Sequence, residues 1–385
     1  MTNGARPVTA WFCLSILAAA CGSSGSGGGP ATMKTGGPGP GSSGSTAASG
    51  GGGSGSSSRG VTTSGASVPT GSGASAGTGD GGQGATSAGM PEAGGAGSGS
   101  PTGTGDGGAF TGTCTASKAV SGTTATGTGP HKVVVETNSD PGITAGTIFR
   151  PMDLGGAEKY PIFAWGEGGC QENGLSQAAV MGEIASHGYF VIADGTPNGT
   201  SSGTLGSDPV AMGKPLLAYI AWAIAENGKP CSAYYQSLDT TKTATNGFSC
   251  GGLMAEGTAG DPRITTWALN SSGLFAANQA LYMSVHTPVL IVLGGSNDIA
   301  YQNGENDYKA ISALGKPIML FSKNGSNHGG DLYNGTGDFS KIDLAWLNWW
   351  LKGDQTATGK GVLVGSTCTY CTDSTNWEVK SMNIP

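Results

Sequence analysis

Residues 241–252 read Thr-Lys-Thr-Ala-Thr-Asn-Gly-Phe-Ser-Cys-Gly-Gly, and Leu253-Met254-Ala255-Glu256 follow. The first part, Thr241–Phe248, has the composition of a strand, and the residues after Ser249 read as the start of a helix. Between them stands Gly247-Phe248-Ser249-Cys250-Gly251, a G-x-S-x-G pattern. A serine on so tight a strand-to-helix turn holds its Oγ clear of the backbone, where it can act as a nucleophile. Gly247 and Gly251 leave room for the chain to turn. The amide of Cys250 falls at a helix N-terminus, where it can donate to a developing oxyanion. In a chain with 73 glycines the five letters alone carry little. Their place between a strand and a helix is what gives them meaning.

Working outward, further short apolar runs read as strands. They are Lys132–Thr137, Thr147–Arg150, Pro161–Trp165, Tyr189–Ala193, Ile264–Leu269, Pro288–Leu293 and Pro317–Phe321. Helical spacing of apolar residues appears in Ser176–Ser186, Lys214–Glu226 and Ser340–Leu351. Strands alternating with helices of this length predict an α/β fold, with a mostly parallel sheet covered on both faces. The first two or three strands have no helices between them and should form an antiparallel edge. Trp346, Trp349 and Trp350 sit at helical spacing and read as packing rather than as a binding platform.

In an open α/β sheet the site lies at the C-terminal strand ends. A serine nucleophile needs a base, and the chain has four histidines. His131, His187 and His286 each precede a strand, on the wrong edge, and His187 suits a helix C-terminus. His328 follows the last of these strands and is the expected base. Asp298 is the first acid beyond Pro288–Leu293 and is the expected orienting carboxylate. Its rivals Glu305 and Asp307 belong to the next helix, where a solvated acid is the default. The glycine-rich loop after Pro161–Trp165, Gly166-Glu167-Gly168-Gly169-Cys170, should turn a backbone amide to the site. We expect the N–H groups of Glu167 and Cys250 to form the oxyanion hole. The Glu167 side chain must then point away, reach substrate, pair with a cation, or lie solvated at the loop tip. If the two amides converge, Cys170 and Cys250 come within disulfide reach.

The rest of the chain sets the compartment. Residues 1–21 carry Arg6, an apolar Trp11–Leu17 and three small residues before Cys21, the layout of an export signal too short to span a membrane. The segment resembles a bacterial lipoprotein signal, which implies lipidation of Cys21 and attachment to a membrane. Residues 22–112 are a Gly/Ser/Thr-rich linker that cannot bury a core, with a reach of roughly 50 Å as a flexible coil. Residues 113–385 remain for one large domain. Six cysteines lie there, an even number that favours disulfides over metal in an exported chain. Cys368–Cys371 reads as a local staple, and Cys114–Cys231 is left by subtraction. Net charge is −7 with no basic run, which argues against nucleic acid.

From about Lys132 onward the chain resembles secreted α/β-hydrolases of the dienelactone hydrolase and cutinase-like group, including bacterial polyester hydrolases. The resemblance rests on Ala185–Ala193, the Gly247–Gly252 turn, Gly294–Ala300, His328-Gly329-Gly330 and Ala345–Asp354. It implies the α/β-hydrolase fold, whose members carry nucleophile, acid and base in the order Ser249, Asp298, His328. It also implies hydrolysis of a carboxylic ester, with no metal or organic cofactor. One departure stands out. Polyester-degrading relatives place an aromatic clamp where this chain has Asn270-Ser271-Ser272-Gly273, so a small acyl ester suits the chain as well as a polymer. A binding module on a hydrolase scaffold, or an amidase or acyltransferase with the same three residues, are the rival classes.

Overall fold

The structure, a computed structural model, describes residues 116–385 apart from 139–141 and 144. The signal-like segment 1–21 with Cys21, the linker 22–112, and Cys114 lie outside the described residues.

Ten strands form one sheet in the order β1-β2-β3-β5-β4-β6-β7-β8-β9-β10. They are β1 Ser117–Ala119, β2 Val133–Asn138, β3 Gly146–Pro151, β4 Tyr160–Gly166, β5 Phe190–Asp194, β6 Leu238–Gly247, β7 Thr266–Asn270, β8 Val289–Leu293, β9 Ile318–Lys323 and β10 Trp377–Met382. From β5 through β9 neighbours run parallel. The expected antiparallel edge is present, since β1, β2, β3 and β5 pair antiparallel in turn. The helices are α1 Ala178–Ser186, α2 Pro209–Asn227, α3 Cys250–Glu256, α4 Gln279–Ser284, α5 Tyr301–Ala313 and α6 Asp338–Lys352, followed by the single turns α7 Lys360–Leu363 and α8 Thr369–Thr372.

Why these runs form central strands follows from their burial. Every residue of β4, β5, β7 and β8 is buried. Continuous apolar runs suit strands that carry helices on both faces. The two-residue alternation assigns the side chains to two cores. In β8, Val289, Ile291 and Leu293 join one core with residues of α2, α3 and α5. Leu290 and Val292 join the other, with residues of α1 and α6. Trp346 and Trp349 are buried there, with rings 5.9 Å apart, as packing requires. The layers are helix, sheet, helix, which is the α/β-hydrolase arrangement.

Two strands escaped the sequence reading. β1 spans three residues and is half exposed. β10 (Trp-Glu-Val-Lys-Ser-Met) pairs antiparallel with β9 and closes the other edge. Charged edge strands of this kind lack the apolar run that marks central ones and discourage further pairing. α5 buries only Gly304, Asp307 and Ile311 along its length, so its apolar stripe is thin.

Candidate active site

The turn after β6 is held together by the absence of side chains. A Cβ on Gly247 would sit 2.2 Å from the Gly251 carbonyl oxygen, and a Cβ on Gly251 would sit 2.0 Å from that of Gly166. Three glycines therefore let β4, β6 and α3 close on one another. The chain pays at Ser249, whose φ of 54° is rare for a residue with a Cβ. Cys170 and Ser271, on the two flanking loops, also have positive φ, at 52° and 45°. The Ser249 N–H donates to the Asn270 carbonyl at 2.9 Å, and its own carbonyl accepts from Ser272 Oγ at 2.6 Å. The strained residue is clamped from both sides.

His328 lies beyond β9, as expected, and its ring bridges the other two residues. Nε2 is 2.9 Å from Ser249 Oγ, and Nδ1 is 2.7 Å from Asp298 Oδ1. The Asp298 side chain is fully buried and that of His328 is 13% exposed. The Gly294 N–H and the Ala300 N–H each donate to the Asp298 carboxylate at 2.9 Å. Burial pushes this carboxyl up, but hydrogen bonds from His328, Ser271, Gly294 and Ala300 outweigh it and leave Asp298 below the ordinary carboxylate range. It is thus an anion at neutral pH and can favour a proton on Nδ1 of the imidazole. Phe248 packs on the His328 ring at 4.9 Å and fixes its far face.

The loop after β4 reaches the same point. Glu167 N lies only 2.7 Å from where a Gly251 Cβ would stand, so this amide adjoins the start of α3. Cys170 and Cys250 are joined by a disulfide with Cα atoms 5.1 Å apart, which ties the loop to the first residue of α3. Cys368 and Cys371 are also joined, Cα to Cα 5.3 Å. Cys231 is disulfide-bonded, and Cys114, the residue left for it, lies outside the described residues.

The Glu167 side chain departs from three of the four expectations. It is neither solvated nor directed toward substrate or a cation. It is fully buried and accepts a hydrogen bond from Ser176 Oγ. Burial pushes it up to about 8, against the hydrogen bond from Ser176. The carboxyl turns into the interior toward Ser176. Asp307 is a second correction. It is buried rather than solvated, and accepts from Tyr282 OH at 2.6 Å and from the Leu274 N–H at 2.7 Å.

The other histidines sit elsewhere. His187 caps the end of α1 and contacts Glu183 at 3.1 Å, while His131 meets Asp153 at 3.3 Å. His286 stands at the opposite end of β8 from Asp298, near the Ser284 carbonyl at 3.3 Å.

Beneath the turn lies a polar group that the sequence reading missed. Asn270 Nδ2 donates to Asp343 Oδ2 of α6 at 2.8 Å and to Asn246 Oδ1 at 3.3 Å. Ser271 Oγ accepts from the Gly329 N–H at 2.9 Å, next to His328. The available signal was the run Asn270-Ser271-Ser272 at a strand's C-terminal end, which we read only as a missing aromatic. Among the described residues, no three His, Cys, Asp or Glu side chains converge as a metal site would need.

A buried carboxylate, an imidazole and a strained serine thus stand in one hydrogen-bonded line at the C-terminal edge of an α/β-hydrolase sheet. The chain belongs to the PET hydrolase-like family, whose family model matches residues 115–361. That family supports carboxylic-ester hydrolysis as the kind of activity. No curated protein matches the chain.

Proposed function

We propose that the protein is an exported serine hydrolase that cleaves carboxylic esters through an acyl-enzyme. Ser249 Oγ attacks the ester carbonyl while His328 Nε2 takes its proton. Asp298 holds the imidazole and stabilises the imidazolium. The carbonyl oxygen becomes an oxyanion and accepts from the N–H groups of Cys250 and Glu167. Collapse breaks the bond to the alkoxide, which leaves as an alcohol with the proton from Nε2. Water then gives a proton to His328 as its oxygen attacks the acyl carbon; the bond from that carbon to Ser249 Oγ breaks, His328 returns the proton to Oγ, and the acid departs.

The observation that carries this reading is the two-sided contact of His328, 2.9 Å to Ser249 and 2.7 Å to Asp298. Export and attachment through Cys21 belong to the same proposal, supported by the layout of residues 1–21 and by the disulfides. The test is Ser249→Ala, assayed on p-nitrophenyl acetate beside labelling with a fluorophosphonate. We expect several orders of magnitude off kcat and no label. A variant that keeps most of its activity would refute the assignment, and a parent that neither hydrolyses nor labels would leave a binding module.

A further inference from the structure

Ser271 lies where the three segments that carry the reacting groups meet. It follows β7 directly, is fully buried, and has a φ of 45°, in the left-handed region that a residue with a Cβ rarely adopts. Backbone and neighbours hold it there. The Ser271 N–H donates at 2.7 Å to the Val292 carbonyl of β8, the strand that leads to Asp298. On one side the Asn270 carbonyl accepts the Ser249 N–H, and on the other the Ser272 hydroxyl donates to the Ser249 carbonyl. The Ser271 hydroxyl reaches the remaining segment, where its Oγ accepts at 2.9 Å from the N–H of Gly329, the residue after His328. Gly329 has a φ of 83°, and a Cβ on it would stand 3.0 Å from the Phe248 ring, so the chain leaves His328 by a narrow path. A hydroxyl that accepts one bond still has a proton to donate, and Ser271 is among the groups that hydrogen-bond Asp298.

We propose that Ser271 is a positioning residue for the hydrolysis: its hydroxyl joins the Asp298 carboxylate to the backbone just past His328 and so keeps the imidazole in line with Ser249. The inference rests on the ester-hydrolase reading above and adds a fourth side chain to it. Glycine reaches a φ of 45° without strain and would leave the turn intact, so the Cβ of Ser271 is a cost that the fold alone does not require. What that side chain brings is the hydroxyl. Without it the buried Gly329 N–H has no acceptor and Asp298 loses a donor, and both changes fall beside the His328 ring. A strained conformation held for one polar atom points to function rather than packing.

The experiment compares Ser271→Ala, which keeps the Cβ, with Ser271→Gly, which relieves the strain; both remove the hydroxyl. Each is assayed on p-nitrophenyl acetate in the full chain, alone and combined with Asp298→Asn. We expect kcat to fall about ten- to hundredfold in both single variants, the range for one hydrogen bond to a charged group, with KM within about twofold of the parent. Because the hydroxyl acts through Asp298, the same change in an Asp298→Asn background should lower kcat less than about threefold. A purely structural role would give independent losses that multiply. Ser271→Gly should melt at or above the temperature of Ser271→Ala, so it tests the hydroxyl even where the alanine variant unfolds. Parental kcat in Ser271→Gly, or a loss that multiplies fully with that of Asp298→Asn, overturns this inference and leaves the ester-hydrolase reading standing. A parent that hydrolyses no ester overturns both.

Discussion

Asn270 connects Ser249 to Asp343: its backbone carbonyl accepts the Ser249 N–H at 2.9 Å, and its side-chain amide donates to the Asp343 carboxylate at 2.8 Å. A residue of α6 on one face of the sheet thus bears on the nucleophile turn. Burial pushes Asp343 up to about 7, against the hydrogen bond from Asn270. Its protonated form is the one the fold favours. In the unfolded chain it ionises near 4. Between those values the folded state holds the extra proton, so stability from this group is full below about pH 4 and is lost as pH rises through about 7. Asp343→Asn keeps the shape without the charge. Urea unfolding at pH 4.5 and pH 8 should show the parent losing a few kcal/mol more than the variant over that interval. Equal losses in the two proteins would refute this account.

The Cys170–Cys250 bond spans 80 residues of sequence and ends at a proposed oxyanion donor. Chain-entropy arguments give a closure of that size about 4 kcal/mol. Replacing both cysteines with alanine should lower the melting temperature markedly. It should also lower kcat tenfold or more, because the loop carrying the Glu167 amide is no longer tied to α3. Cys368→Ala with Cys371→Ala opens a closure of only three residues that does not involve the loop carrying Glu167, and serves as the control. Matched kcat losses in the two double variants would show that the first bond does not position the loop.

Asp298→Asn tests the orienting role directly. The variant keeps the volume but loses the anion that favours a proton on Nδ1. We expect kcat/KM on p-nitrophenyl acetate to fall roughly 10³–10⁴-fold, with KM little changed. A loss under tenfold would assign the orienting role to another group.

The central strands were legible in the sequence because burial on both faces demands unbroken apolar runs, as in Pro288–Leu293. The line Ser249, Asp298, His328 was legible because each residue follows its own strand, at the edge where parallel strands end. What stayed hidden depends on the direction of a side chain. Nothing in Gly166-Glu167-Gly168 says that the acid turns into the interior to meet Ser176. Asp343 sits among apolar neighbours on α6 at a spacing that a helix count alone cannot distinguish from an exposed position. Its partner Asn270 is 73 residues away in sequence, and only the folded sheet brings them together. β10 was missed for the opposite reason, since an edge strand with Glu378 and Lys380 needs little apolar surface.

The buried acid at Glu167 makes a prediction about activity at high pH. Desolvation pushes it up to about 8, so the folded protein keeps it neutral through the neutral range. Above that value its ionisation places a negative charge on the residue whose amide is proposed to receive the oxyanion. A full charge on that residue opposes the developing oxyanion. Stability moves the same way: the neutral form favoured by the fold contributes fully below about pH 4.5, and that contribution is lost as pH rises through about 8. Glu167→Gln retains an oxygen for the Ser176 hydroxyl and cannot ionise. The parent should lose kcat above pH 8 along a limb that the variant lacks, while the two remain comparable near pH 6.5. Profiles of kcat from pH 6 to 10 on an ester with little spontaneous hydrolysis measure this. Superimposable alkaline limbs would mean that ionisation of Glu167 does not reach the oxyanion site.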